Sequence, residues 1–145
     1  MGQSWILFAL LAAFSAAITI VLTKAGLKNV DSSLAFAIQA VLILTITWGV
    51  VAFQGNIGML KDIDKKAWMF LVAAGIATTL STLFSYYALK SGKASYVTAL
   101  ERLSLVFAII FSVIFLREKL TWQLVTGVAL MLGGAILVAL GQQSS

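Results

Sequence analysis

Two neighbouring charged residues, Glu101 and Arg102, lie inside a long apolar stretch of the sequence, about 10 Å along a helix that begins near Ala94. If this stretch crosses a membrane, an ionisable group at that depth costs several kcal/mol of free energy unless it is paired or hydrated. Such a group therefore indicates function by default. Successive residues on a helix point about 100° apart and do not pair well with each other. We therefore expect Glu101 to act as a coupling or cation-binding carboxylate, and Arg102 to reach another helix or the membrane surface. The alternative is that the helix begins later and both residues lie at that surface.

A second polar feature is a set of amide and hydroxyl side chains within otherwise apolar segments. Gln39 is the lone amide of its segment and cannot satisfy its own hydrogen bonds in hydrocarbon. The residues of a later segment that recur on one helical face are Thr78, Ser81, Thr82 and Ser85, with Tyr86 alongside. We expect an inward-facing cavity lined by Gln39, Thr78, Thr82, Ser85 and Tyr86. The alternative for each hydroxyl is a hydrogen bond to a carbonyl oxygen of its own helix or to a neighbouring helix.

The composition identifies the environment of these residues. The 145 residues are 61% hydrophobic and 10% charged, whereas about a quarter of the residues in a soluble domain are charged. The chain has no Cys and no His, and therefore no disulfide, no thiolate site and no imidazole ligand. No nucleophile and base form a set either, so the sequence predicts neither an enzyme nor a cofactor or metal site.

The net charge of +5 does not indicate nucleic-acid binding. The basic residues are scattered near the ends of the apolar segments, where lysine and arginine side chains reach the lipid headgroups. The expected partner of this surface is the lipid bilayer.

Five apolar segments are long enough to cross that bilayer, since about 20 helical residues span its hydrocarbon core. Polar turns separate the segments, and Asp31 or Ser32 is suited to capping the second helix at its N-terminus. The predicted spans are residues 4–23, 34–53, 67–89, 94–116 and 121–140. The predicted fold is all-α: a single polytopic integral membrane domain over residues 1–145 with five transmembrane helices.

The ten Lys and Arg residues divide almost evenly between the two membrane surfaces that these spans define. The N-terminal side carries five, namely Lys61, Lys65, Lys66, Arg117 and Lys119. The other side carries Lys24, Lys28, Lys90 and Lys93, with Arg102 a few residues inside the fourth span. Basic residues are enriched on the cytoplasmic side of membrane proteins. The near-equal count predicts either a chain that inserts in both orientations or one whose N-terminal side is cytoplasmic by a narrow margin.

Several motifs resemble the EamA-like half-domain of the drug/metabolite transporter superfamily. The run of residues 101–107, the helix break at 116–121 and the glycines that follow are similar to its fourth-to-fifth-helix signature. Residues 22–27 and 86–95 resemble the end of its first helix and its third-to-fourth turn. Most members fuse two five-helix halves, and this chain is similar to the single-half group found in bacteria and archaea.

The resemblance implies a secondary active transporter that moves a small organic solute by alternating access, between inverted halves near the membrane midplane. A single half implies a second copy of the chain in antiparallel orientation, in the cytoplasmic membrane of a bacterium or archaeon. Glu101 and Arg102 of each copy are then the expected substrate or coupling site, with protons or another ion as the coupling partner.

Three departures from the family pattern bear on that expectation. Gln39 stands where some single-half members of the family have an arginine in the second helix. Tyr87 stands where some have a second arginine, late in the third helix. The chain also has no proline, although members often carry one near the start of the fourth helix. A rival interpretation, from a different functional class, is a non-transporting accessory or assembly subunit whose buried charges serve pairing.

Overall fold

The computed structural model describes residues 4–141, and this part of the chain contains helices and no strand. The elements are α1 (Ser4–Gly26), α2 (Ser32–Phe53), a 3₁₀ helix (Asn56–Asp62), α3 (Lys65–Ser91), α4 (Ala94–Glu101), α5 (Ser104–Phe115) and α6 (Trp122–Gly141). Within residues 4–141, five segments are long and apolar enough to cross a membrane, and α4 and α5 together form the fourth. The predicted all-α fold with five spans is confirmed.

Large apolar side chains cover the outside of these helices. Phe53 is 95% exposed and Trp122 is 77% exposed. The buried hydrophobic residues of the described chain are Leu27, Tyr86, Leu89, Val97 and Ala135. An apolar surface of this extent is unsuited to water, but it suits hydrocarbon, where helices satisfy their own backbone hydrogen bonds. The chain is a multi-pass membrane protein.

The chain forms two compact units, the first of which extends through Ser91. In this unit α3 packs against both α1 and α2, and the 3₁₀ helix packs against α2. The α1–α2 turn ends at Asp31, whose Oδ1 accepts hydrogen bonds from the backbone N–H groups of Ser33 at 2.9 Å and Leu34 at 3.3 Å. The Leu34 N–H, followed by that of Ser33, holds the pKa of Asp31 below its ordinary value. Of the two suggested caps, Asp31 therefore fills the role.

The second unit begins at Gly92, and in it α4 packs against α6. The predicted fourth span is present, but a turn at Arg102 and Leu103 divides it into α4 and α5. The N–H groups of these two residues donate to carbonyls three residues earlier, at 3.2 and 3.0 Å, and those of Leu105 and Val106 do the same at 3.0 and 3.1 Å. Such i to i+3 bonds are the 3₁₀ pattern. The span changes helix type at the charged pair without a proline.

The break after α5 has a left-handed residue at its centre. Arg117 has φ of 54°, and Glu118 N–H donates across it to the carbonyl of Ser112 at 3.3 Å. This arrangement matches a common helix C-terminus in which glycine usually takes the left-handed position. It separates α5 from α6, as the sequence predicted for residues 117–120.

Candidate functional site

A groove in the first unit, here called the α1–α3 groove, contains two of the predicted cavity residues. It has a volume of about 310 Å³ and is lined by Leu22, Thr23, Gly26, Val30, Ala35, Ile38, Gln39, Leu42 and Tyr86. Gln39 is half-buried and supplies the amide of the groove. Apolar walls with a few placed polar groups are typical of small-molecule sites.

Tyr86 is held in place by packing against α2. The residue is 5% exposed, and its ring lies 5.5 Å from the ring of Phe36, centroid to centroid, at an angle of 59°. Tilted aromatic pairs at this separation are favourable. Within residues 4–141 the Tyr86 hydroxyl makes no hydrogen bond, so it keeps its capacity for a ligand in the groove.

The other predicted cavity residues lie elsewhere on α3. Thr78 and Thr82 donate to the carbonyls of Ala74 and Thr78, each at 2.8 Å, as the alternative interpretation describes. Ser85 is half-buried. None of the three belongs to the lining of the α1–α3 groove, which brings together Gln39 and Tyr86.

Thr23 is a groove residue that the sequence did not single out. Its hydroxyl is buried and has no hydrogen-bond partner among residues 4–141. Thr19, one turn earlier on the same helix, donates to the carbonyl of Ser15 at 2.9 Å. A threonine within a helix ordinarily bonds back in this way, and only the folded structure shows that Thr23 does not.

A cluster of hydrogen bonds, here called the lysine clasp, joins α1, α3 and the α1–α2 turn of the first unit. The ammonium of Lys24 donates to the carbonyls of Leu89 and Lys90, which are among the last carbonyls of α3. The ammonium of Lys90 donates to the carbonyl of Val30 at 2.9 Å. The final carbonyls of a helix lack partners within it, and cations are favourable there. Lys24 of α1 therefore satisfies carbonyls at the end of α3, and Lys90 of α3 ties that end to the α1–α2 turn.

One further hydrogen bond joins α2 to α3. The hydroxyls of Ser33 and Tyr87 lie 2.6 Å apart. Lys24 and Lys90, which the sequence suggested only as orientation charges, thus have a structural role. Tyr87 links α3 to α2.

The second unit contains its own groove, here called the α4–α6 groove, with a volume of about 430 Å³. Its lining on α4 comprises Ser95, Thr98, Ala99 and Arg102, and its lining on α6 comprises Met131, Gly134, Ala135 and Val138. The predicted site residue Arg102 thus lies in a groove, at the point where α4 gives way to α5. Arg102 and Glu101 are both exposed, and Glu101, the last residue of α4, is not part of this lining.

A larger groove of about 520 Å³ lies between α2 and the 3₁₀ helix of the first unit. It contains Trp48 and several apolar residues, with Thr47, Asn56 and Asp62 as its polar members. It includes none of the predicted site residues. Its location beside a polar loop and a tryptophan is typical of a membrane interface.

Residues 4–141 contain no group of three acidic, His or Cys side chains placed to hold a metal ion. The polar side-chain groups of the α1–α3 groove and the α4–α6 groove are an amide, hydroxyls and one guanidinium. These groups bind and orient a ligand through hydrogen bonds and charge.

Comparison with known proteins identifies the family of this membrane protein. The EamA-like transporter family matches residues 3–140. A Sinorhizobium protein described as "Uncharacterized transporter in cobO 3'region" is 41% identical over 139 residues, which cover 96% of this chain and 99% of that protein. An uncharacterized protein of Methanocaldococcus jannaschii is 31% identical over 77 residues, covering 53% of this chain and 56% of its own. No solved structure matches.

The class of protein is therefore a helical transporter of the membrane. The chain belongs to the EamA-like transporter family, and it has the dimensions of one half-domain of the drug/metabolite transporter superfamily.

Proposed function

We propose that this protein is a secondary active transporter that moves a small organic solute by alternating access. The observation that carries the proposal is the family match over one five-helix half. Transporters with inverted repeats bind solute between two such halves. A second copy of the chain in the opposite orientation supplies the missing half, as an antiparallel homodimer in the cytoplasmic membrane of a bacterium or archaeon.

In this proposal the predicted residues have separate roles. Gln39 and Tyr86 contact the solute in the α1–α3 groove. Glu101 and Arg102 form the coupling or binding centre of the second unit, at the interruption of a transmembrane helix. Interrupted helices are a recurring feature of ion and solute sites in transporters. Glu101 exchanges a proton or another cation during the cycle.

Proton flux in proteoliposomes tests the coupling role of Glu101. Vesicles containing a trapped pH dye are given a pH or Na⁺ gradient and a panel of small organic solutes. In the wild type we expect at least one solute to change the internal pH or to accumulate with the gradient, and we expect Glu101→Gln to abolish that dependence, because the amide cannot exchange a proton.

Glu118→Gln is the matched control, since Glu118 lies in the turn between α5 and α6. It should transport as the wild type does. Equal gradient dependence in Glu101→Gln and wild type would remove Glu101 from the coupling role, and no gradient-driven response to any solute would contradict secondary transport.

Measuring the orientation of the chain in the membrane tests the antiparallel homodimer. Reporter tags that are active on only one side of the membrane are fused to either terminus and expressed in cells. The loops on the N-terminal side carry five lysines and arginines, and the loops on the other side carry four. Because these numbers nearly balance, we expect signal from both sides of the membrane at each terminus. A single fixed orientation would exclude a homodimer of opposed copies, and added lysines on one side serve as a control that shifts the distribution.

A further inference from the structure

We propose that the α4–α6 groove is a subsite for an anion, and that the transported solute carries a carboxylate or phosphate group. This inference deepens the proposed function, on which it rests for the identification of the bound anion as solute. The residues that carry it are Arg102, Thr98 and Ser95, which line one side of the groove.

Arg102 supplies the charge. It follows Ala94, the first residue of the span, by eight positions, which is about 12 Å along a helix. Within residues 4–141 its guanidinium has no ion pair and no side-chain hydrogen bond. An arginine at such depth is costly unless a partner or water compensates it, and the guanidinium fork matches carboxylate and phosphate geometry. The groove beside it is where that partner fits.

The two hydroxyl residues of the groove also keep their hydrogen-bonding capacity. Ser95, Thr98 and Arg102 follow one another at spacings of three and four residues, so they share one face of α4. The side chains of Ser95 and Thr98 make no hydrogen bond within the described residues. Thr126 on α6, in contrast, donates to the carbonyl of Trp122 at 2.9 Å. Three unused donor groups thus face the same groove.

The opposite wall leaves room for a ligand. Gly134 and Ala135 are small, and a Cβ added at Gly134 would meet no atom within 4 Å apart from its two chain neighbours and the nearby backbone of α6. No acidic residue belongs to the lining. An anion is therefore favoured over a neutral or cationic group.

Ligand-induced thermal stabilisation of the purified protein in uncharged detergent tests the subsite. The probes are matched pairs with one carbon frame, benzoate with benzamide and succinate with succinamide, together with inorganic phosphate. We expect the anions to raise the melting temperature more than the amides do. Arg102→Gln should weaken anion affinity by about 10- to 100-fold, the equivalent of one charge-assisted hydrogen bond. Thr98→Val should weaken it by about 2- to 10-fold.

Each variant has a matched control. Arg117→Gln removes the other arginine of the chain, which lies outside the groove, and Thr126→Val removes a hydroxyl that is bonded within its own helix. Both should bind the anions as the wild type does. Arg102→Lys should retain part of the affinity, because the charge remains while the fork is lost.

Four results would overturn the subsite. They are equal stabilisation by anions and amides, no stabilisation by any of the probes, wild-type affinity in Arg102→Gln, and stabilisation by phosphatidylglycerol but by no soluble anion. The last result would assign the groove to a lipid headgroup. Failure of the proposed function is distinguishable, because anion binding that depends on Arg102 without gradient-driven transport would retain the subsite and remove the transport role. Gradient-driven transport of neutral solutes that is unchanged in Arg102→Gln would retain the transport role and remove the anion subsite.

Discussion

Replacement of Tyr86 by alanine is expected to lower the free energy of unfolding by about 3 kcal/mol, the typical effect of removing a buried aromatic ring. The ring is 5% exposed and packs against Phe36 with a centroid separation of 5.5 Å. Its removal leaves a cavity beside the α1–α3 groove and deletes the aromatic pair that joins α3 to α2. The pair itself adds about 1 kcal/mol beyond burial.

Denaturant titration in mixed micelles measures this effect, with Phe84→Ala as the control. Phe84 is also an aromatic residue of α3 but is 69% exposed, so its loss creates no internal cavity. Similar destabilisation by both variants would show that Tyr86 has no special packing role.

A second variant separates stability from binding. Tyr86→Phe keeps the ring and should unfold as the wild type does, since the hydroxyl makes no hydrogen bond within residues 4–141. A loss of solute affinity in Tyr86→Phe would then report a direct contact between the hydroxyl and the solute.

Lys24→Met has the second-largest expected effect, a destabilisation of about 2 kcal/mol. The variant keeps most of the aliphatic length of the side chain but removes the ammonium that donates to the carbonyls of Leu89 and Lys90. Hydrogen bonds to a charged group are worth about 1.5–3 kcal/mol, and their loss leaves two carbonyls at the end of α3 without this donor.

The matched control is Lys28→Met, which changes the same formal charge in the neighbouring turn, where the side chain is exposed. It should change the free energy of unfolding by less than about 0.5 kcal/mol. Equal losses in the two variants would assign the effect to net charge and would contradict the lysine clasp as a stabilising contact.

Much of the architecture follows from local pattern. The length and hydropathy of the apolar segments predicted five spans, and the structure contains five within residues 4–141. Asp31 predicted the start of α2, because a carboxylate before a helix can satisfy its first N–H groups. These features were predictable because a helix satisfies its backbone within one segment, and its apolar surface requires only that lipid surround it.

The candidate sites were only partly predictable. Gln39 and Tyr86 line one groove, and their role in a solute cavity stays a prediction. The helical period placed Thr78 and Thr82 on the same face as Tyr86, but both bond to their own helix. The helical period gives the direction in which a side chain leaves the helix axis. It does not determine whether a hydroxyl bonds to the backbone of its own helix or remains available to a ligand.

The sequence by itself determined that this protein is a five-span membrane protein of a transporter family, since segment length, composition and motif are properties of consecutive residues. Only the tertiary structure decided that Lys24 and Lys90 tie α1, α3 and the α1–α2 turn together. It also decided that the fourth span changes helix type at Arg102, beside a groove with unused donors. The physical reason is that the lysine clasp and the groove depend on which backbone and side-chain groups of separate helices meet. Helix packing sets those meetings, and no single segment encodes them.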